Sequence, residues 1–492
     1  MKLIPALLLF FVSSLVFGQN KKPNIVLIMA DDLGYGDVGY LNPDAKTKTP
    51  HLDALAKAGM SFTNAHSPSA VCTPTRYALL TGRYSWRSAM KKGVLHGYSP
   101  PLIEVGRETI ATMLQKQGYQ TACVGKWHLG LDWQPKMAGE KVDKGGVYPD
   151  GSNVGFGKTA LGPKLAGFDY SYIIPASLDM EPYCFVRNGQ VLGLPMQPYA
   201  GEPALTEGRH INRFHRGGVI AQDFTIENTL PTFVNEAEGF IQKNKDKPFF
   251  LYLPLNSPHT PWVPVAPFKG SSQVGLYGDF VAQTDAAVGR LVALLDSLNL
   301  SKNTLIVLTS DNGAYWRQPE IDQFNHRANA DWRGMKADIY EGGHREPFFV
   351  KWPGQIKPGS QTDQALCLTD IFASVADIVD ASLSKNTAED SFNFWPVWSG
   401  KSNKKVRESI IHQSGDGMLA LREGDWKYVE ALGSGGFTEP KRAEAKTGEP
   451  NGQLYNLKND PAETNDLVQQ DAARAKALAA KLEKIRNQGF SR

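Results

Sequence analysis

The sequence predicts an α/β fold: a large central mixed, mostly parallel sheet flanked by helices on both faces, plus a small C-terminal antiparallel sheet with a terminal helix. Two patterns carry this expectation. Short continuous apolar runs alternate with segments whose apolar residues recur at helical spacing, as in strands covered on both faces by helices. Beyond about residue 405 the pattern changes to short strand-like runs separated by turns. A chain of 492 residues with 41% hydrophobic content can bury one large core and a smaller appended one.

The elements follow in order. "NIVLIM" (24–29) is a buried strand. A helix spans 49–59, with Thr49 as cap, Pro50 in its first position and Gly59 at its end. A second helix, 108–118, stops at Gly118 and leads into the strand 120–125. Strands at 248–255 and 304–310 bracket a helix over 279–298, and 346–353 is a further strand. The stretch 131–235 is rich in Gly and Pro and weakly periodic, and reads as long insertions over the sheet. Near the C terminus "ESIIHQ", "MLALREG" and "WKYVEAL" read as short antiparallel strands, with a final helix over 472–488.

At the N terminus, Lys2 precedes an apolar run of 15 residues, Leu3 to Phe17. A bilayer span needs about 20. Val16 and Gly18 provide small residues for cleavage, so 1–18 reads as a secretory signal peptide, with a signal anchor as the alternative. No cysteine marks a lipoprotein cleavage site, and no other run is long and apolar enough to span. The expected organisation is a leader over 1–18, a catalytic domain over 19–405 and a C-terminal α+β subdomain over 406–492, in an exported, periplasmic or secreted protein. Lys plus Arg number 53 against 50 Asp plus Glu, so nothing electrostatic argues for nucleic acid. The four cysteines, Cys72, Cys123, Cys184 and Cys367, permit disulfides that a chain of this size does not need.

Four of the expected core strands end in reactive residues: Asp31 and Asp32, Lys126 and His128, His259, and Asp311 and Asn312. In open α/β sheets, ligands bind beyond the carboxyl ends of the strands. One such Asp or Asn is ordinarily a turn or cap residue, but four ends together point to a shared site. Asp31, Asp32, Asp311 and Asn312 are hard oxygen ligands, which favour calcium or magnesium over zinc or copper, and export favours calcium. Arg76, Lys126 and Lys336 add positive charge. A divalent cation with three bases suits a tetrahedral oxyanion, sulfate or phosphate.

Cys72 lies in "VCTPTRYALLTGR" (71–83). A phosphatase-type cysteine loop would carry Arg six positions later, where this chain has Ala78. A cysteine-protease reading gives the oxygen ligands no role. A bare thiolate attacking a sulfate ester would leave a sulfur–sulfur product that is difficult to resolve.

"CTPTRYALLTGR" resembles the signature of the type I sulfatases, Cys-x-Pro-Ser-Arg followed by x-x-x-Leu-Thr-Gly, with Thr75 in place of the usual Ser. The resemblance extends through "PNIVLIMADDLGYGDVG", "TPHLDALAKAG", "GKWHLG", "SPHTPW", "YGDFVAQTDAAVGRL", "TSDNG", "RGMKADIYEGGHREP" and "LYNLKNDPAE", in the family's order. It implies an arylsulfatase-like member of the alkaline phosphatase superfamily, a carbohydrate sulfatase of bacterial type. It also implies that a formylglycine-generating or anaerobic sulfatase-maturing enzyme oxidises Cys72 to formylglycine, which hydrates to a gem-diol. One hydroxyl then attacks sulfur and displaces the alcohol; the other loses its proton, and the hemiacetal expels sulfate. By the same resemblance, Arg76 supports the formylglycine, Lys126 bridges it to sulfate and His128 is the base of the elimination. His259 and Lys336 contact the leaving-group side, with His259 as the acid. Asp31, Asp32, Asp311 and Asn312 hold calcium together with modified residue 72.

The expected substrate is a sulfated carbohydrate, a galactose-type or amino-sugar unit of a polysaccharide or glycosaminoglycan. Candidate contacts are Asp179, His215, Trp262, His326 and Arg327, with 433–448 as one wall of a cleft. The alternatives are a phosphonate or phosphate ester hydrolase of the same superfamily, and a catalytically inactive glycan-binding protein.

Overall fold

The computed structural model describes residues 22–142, 151–202 and 214–492, so the leader expected over 1–18 lies outside the described residues. A ten-stranded sheet forms the centre. Its middle strand, Asn24–Asp31, is buried at every position and pairs in parallel with Phe249–Pro258 on one side and Thr304–Ser310 on the other. Gln120–Lys126 and Tyr170–Ile174 continue the parallel pairing outward. On the opposite flank, Phe348–Lys351 is antiparallel. The sheet is therefore mixed and mostly parallel, as the continuous apolar runs require.

Register places the site. Ile28 lies opposite both Leu253 and Leu308, and Ala30 lies opposite Ser310. The carboxyl ends of these strands thus finish at one edge. An irregularity between Met29 and Asp31 offsets the last pairing, Asp31 with Pro258. The helix Gly275–Ser297 packs against Phe249–Pro258, and so does Thr229–Asn244.

The stretch 131–235 is more than covering loops. It supplies the parallel strand Tyr170–Ile174 and a hairpin of Val186–Arg187 with Gln190–Val191 that extends the same sheet. It also contains the start of Thr229–Asn244, a helix the sequence reading passed over. Leu230, Phe233, Val234, Ala237, Phe240 and Ile241 bury one face at helical spacing. Pro231 and Gly239 obscured that spacing. Pro231 is tolerated because it occupies the first turn, where its missing N–H has no intrahelical partner.

The C-terminal strands Ser409–Gln413, Leu419–Glu423, Trp426–Val429 and Gln453–Asn456 form an antiparallel sheet in sequence order. The helix Ala472–Gln488 buries Leu478, Leu482 and Ile485 in one apolar cluster with Ile410, Leu421 and Leu454. Tyr84, Trp86 and Cys367 join the same cluster, so this sheet is packed onto the segment that follows the Cys72 helix. All four cysteines are buried and free. Among the described residues, no helix is long and apolar enough to cross a membrane.

Candidate active site

Asp31 and Asp32 terminate the central strand, and Asp32 turns the chain with a φ of 62°. Lys126 ends the neighbouring strand, and His128, two residues on, has a φ of 54°. Asp311 and Asn312 directly follow Thr304–Ser310. Cys72 opens the helix Cys72–Thr81, buried throughout, with Pro74 in its first turn. Gly82 closes this helix at φ 63°, where a Cβ would lie 2.5 Å from that of Ala388, so both the turn and the packing demand glycine.

These elements converge on the Cys72 sulfur. Lys126 Nζ lies 3.4 Å from it, Lys336 Nζ 3.6 Å and Asp31 Oδ1 3.7 Å. Each cation also holds a carboxylate. Lys126 donates to Asp31 Oδ2 at 2.7 Å, and Lys336 donates to both oxygens of Asp32 at 2.7 Å. Arg76 donates from Nη2 and Nε to Asp311 Oδ2 at 2.7 and 3.1 Å, and from Nη1 to the Lys126 carbonyl at 3.0 Å. His259 Nε2 stands 3.6 Å from Asp32 Oδ2. Asn312 Nδ2 donates to Asp32 Oδ1 at 2.7 Å, while Asn312 Oδ1 is buried without a partner.

Burial by itself would raise the Asp31 carboxyl, but Lys126, with His259, Arg76 and Lys336, reverses this and holds it well below the usual carboxylate range. Burial pushes the Cys72 thiol up to about 12, against the pull of Lys126 and Lys336. Burial, then Lys126 and Arg76, keep His128 well below the usual imidazole range. Asp31, Asp32, Cys72 and His259 each offer a ligand atom within 4.8 Å of the others, a possible acidic metal site.

The site floors a cleft of about 960 Å³ reached by Asp32, Cys72, His128, His259 and Lys336. The expected wall within 433–448 is there: Gly435, Gly436, Phe437 and Lys441 line the cleft. Asp179 also lines it and forms a 2.6 Å ion pair with Arg216. Burial raises this carboxyl, yet His259, Arg216 and the Ser177 hydroxyl bring it down to about 2.

The other four candidate substrate contacts are not among the described residues lining the cleft. Trp262 is buried against Tyr277 and Trp316, with ring centroids 5.2 and 6.0 Å away. His326 is buried, its Nε2 2.7 Å from Asp37 Oδ1. His215 stacks on Tyr199 at 5.4 Å and 11°. Arg327 is exposed and lies 3.8 Å from Asp331. Core packing claims the first three side chains, and solvent the last. Residues that sequence reasoning missed include His96, Arg216 and Tyr315, all lining the cleft, and within the expected wall it did not single out Phe437. Tyr315 follows Asp311 by four positions and was reachable by the strand-end argument; Phe437 lies in a Gly-rich segment without periodicity.

Residues 23–381 match the family model described as Sulfatase. The chain is 36% identical to an N-acetylgalactosamine-6-O-sulfatase of Bacteroides thetaiotaomicron over 95% of this chain and 94% of the relative. It is 32% identical to human arylsulfatase A, over 91% of this chain and 84% of that one. A solved structure from work on the metabolism of multiple glycosaminoglycans by Bacteroides thetaiotaomicron superposes with a TM-score of 0.81 at 33% identity, covering 95% of this chain and 100% of that one. The chain therefore belongs to the sulfatase family and is a sulfuric ester hydrolase.

Proposed function

We propose that this enzyme is exported and removes sulfate from a sulfated carbohydrate, a galactose-type or amino-sugar unit of a polysaccharide or glycosaminoglycan, with formylglycine at position 72 and calcium beside it. The observation that carries the reading is the buried cluster around the Cys72 side chain at the floor of the cleft, with Lys126 and Lys336 within 3.6 Å. The likeness to an N-acetylgalactosamine-6-O-sulfatase, and to a structure from glycosaminoglycan metabolism, supports a sugar sulfate as substrate.

Two carboxylates gathered with residue 72, Asp311 beside them, and an amide oxygen with no partner suit a hard divalent cation. Asp31, Asp32, Asp311, Asn312 and modified residue 72 would hold calcium, which supplies positive charge beside the sulfate oxygens. Formylglycine, when hydrated, supplies an oxygen nucleophile where a thiol would not suffice.

The chain's own residues do the rest. Arg76 is locked by its contacts to Asp311 and the Lys126 carbonyl, and fixes the position of residue 72. Lys126 and Lys336 neutralise the sulfate oxygens from two sides. His128 Nε2 meets the Leu95 carbonyl at 2.7 Å, and a carbonyl only accepts, so that nitrogen carries the proton. The neutral ring leaves Nδ1, which has no partner, as the base that takes a proton from residue 72. His259 Nδ1 donates to the Thr260 carbonyl, which leaves Nε2 facing Asp32; a second proton held on Nε2, in the imidazolium form, passes to the departing sugar oxygen and leaves the neutral ring. The leader spans 1–18, the catalytic domain 19–405 and the C-terminal subdomain 406–492; a formylglycine-generating or anaerobic maturing enzyme converts Cys72.

Mass spectrometry of the peptide carrying residue 72, alongside turnover of defined sulfated sugars by the converted protein, tests this. An aldehyde mass and sulfate release are expected. Full activity with an intact thiol, or faster turnover of phosphonate than of sulfate esters, would overturn it.

A further inference from the structure

We infer that Phe437, braced edge to face by Tyr315, is a stacking platform for a pyranose ring of the substrate at the cleft; this rests on the carbohydrate reading above. A single exposed phenylalanine is ordinary on a protein surface. Phe437 differs in three respects.

It is 47% exposed yet lines the cleft whose floor is the Cys72 cluster. Its position is fixed through the backbone and not through burial of the ring. The Phe437 amide donates to Asp338 Oδ1 at 2.7 Å, and the Thr438 amide donates to the same oxygen at 3.0 Å. Asp338 Oδ2 accepts the Met335 amide at 3.0 Å and the Thr438 hydroxyl. One buried carboxylate thus ties the phenylalanine loop to the loop carrying Lys336. Gly436 presses this contact home: a Cβ there would sit 2.4 Å from the Ala337 backbone.

The third respect is the partner ring. Tyr315 meets Phe437 edge to face, centroids 5.6 Å apart and planes at 88°. Tyr315 leaves the strand end that carries Asp311 and Asn312, and the Arg317 guanidinium stands 5.6 Å from its ring centre. The aromatic pair therefore joins the strand end of Asp311 and Asn312 to a loop that is itself tied to the Lys336 loop. Its distance from the reacting centre is set by the fold.

The rest of the cleft decides what such a platform takes. Lys92, Asp179, Arg216, Asp416 and Lys441 also line it. A steroid or extended aryl group would need a continuous apolar wall. A pyranose offers one C–H face to an aromatic ring and hydroxyls at its edges for charged partners.

The test uses full-length protein with conversion of residue 72 confirmed, a panel of sulfated monosaccharides that includes N-acetylgalactosamine 6-sulfate, and a short acyclic alkyl sulfate. Phe437→Ala should raise KM for the preferred sugar ester about tenfold, the size of one aromatic stacking contact, with kcat changed far less. The loss in kcat/KM should be at least fivefold greater for the sugar than for the acyclic ester, and Phe437→Trp should recover most of it. Equal losses on both esters, or an unchanged KM for the sugar, would overturn the platform while leaving the carbohydrate reading intact. A wild-type enzyme that cleaves the alkyl sulfate but no sugar sulfate would overturn the carbohydrate reading, and the platform with it.

Discussion

Acid should loosen this protein where the C-terminal sheet packs on the Ala65–His66 strand, and the size of the effect follows from three histidines. His66, His344 and His412 are fully buried there. The His412 ring stacks on His344 with centroids 4.2 Å apart and on His66 at 5.0 Å. The charged groups facing the stack are Glu341, Arg345, Arg422, Lys427 and Glu463. Burial, then neighbouring charges, hold His66 and His412 well below the usual range, and burial and Lys427 bring His344 to about 3. All three are neutral in the folded state. In the unfolded chain each titrates near 6.5, so the unfolded state gains protons first as pH falls. Folded pKa values below the unfolded value mean that stability present above pH 6.5 is lost on acidification. Between pH 7 and 5.5 each histidine costs about 1.3 kcal/mol, about 4 kcal/mol for the three. His412→Phe isolates one share, because neither ring nitrogen of His412 has a hydrogen-bond partner to lose and an aromatic ring is kept in the stack. Urea unfolding of both proteins at the two pH values gives the comparison. Carboxylates elsewhere titrate alike in both and cancel in the difference. The variant should lose about 1.3 kcal/mol less than the wild type over this interval. Parallel losses would refute the assignment of neutral histidines.

Three further outcomes are expected. Cys72→Ala should lower sulfate release from the preferred ester by at least about a thousandfold while the circular-dichroism melting curve stays nearly in place, since a small buried side chain at a helix start is replaced by a good helix former. Chelation of the purified protein should lower both activity and the thermal midpoint, and calcium should restore them; at a hundredfold excess over Kd a bound ion contributes about 2.7 kcal/mol. Arg407→Met should cost about 3–5 kcal/mol in urea unfolding, because it strips the 2.7 Å partner from the fully buried Asp370 and leaves an uncompensated charge.

The sheet and the site floor were legible because the relevant residues follow directly upon continuous apolar runs. Asp31, Lys126 and Asp311 needed only a strand and a register to meet, and the apolar runs specified both. The cleft walls obey no such rule. They come from loops hundreds of residues apart, and their contacts are long-range: Gly93 donates to the Gly415 carbonyl at 2.8 Å, and Ala337 to that of Ala70 at 2.7 Å. Nothing periodic marks either segment. Proximity in sequence also misleads. Trp262 stands three residues after His259, yet His259 lines the cleft and Trp262 packs into an aromatic cluster with Tyr277 and Trp316.

Backbone conformation adds an argument independent of any motif. Asp32, His128 and Ala337 have φ of 62°, 54° and 74°, in the left-handed region that side chains with a Cβ disfavour. Each costs on the order of 1 kcal/mol that glycine would spare. All three line the cleft. The first two are positions where glycine would delete a polar side chain from the cleft floor. Ala337 links Lys336 to Asp338, and its amide donates to the Ala70 carbonyl at 2.7 Å, two residues before Cys72. The strain at Asp32 and His128 turns their chains back over the strand ends; that at Ala337 lets one segment serve both Lys336 at the sulfur and Asp338 beneath Phe437. At Asp32 and His128 the left-handed turn is made with the side chain kept, where glycine would leave the cleft floor without its carboxylate and its imidazole.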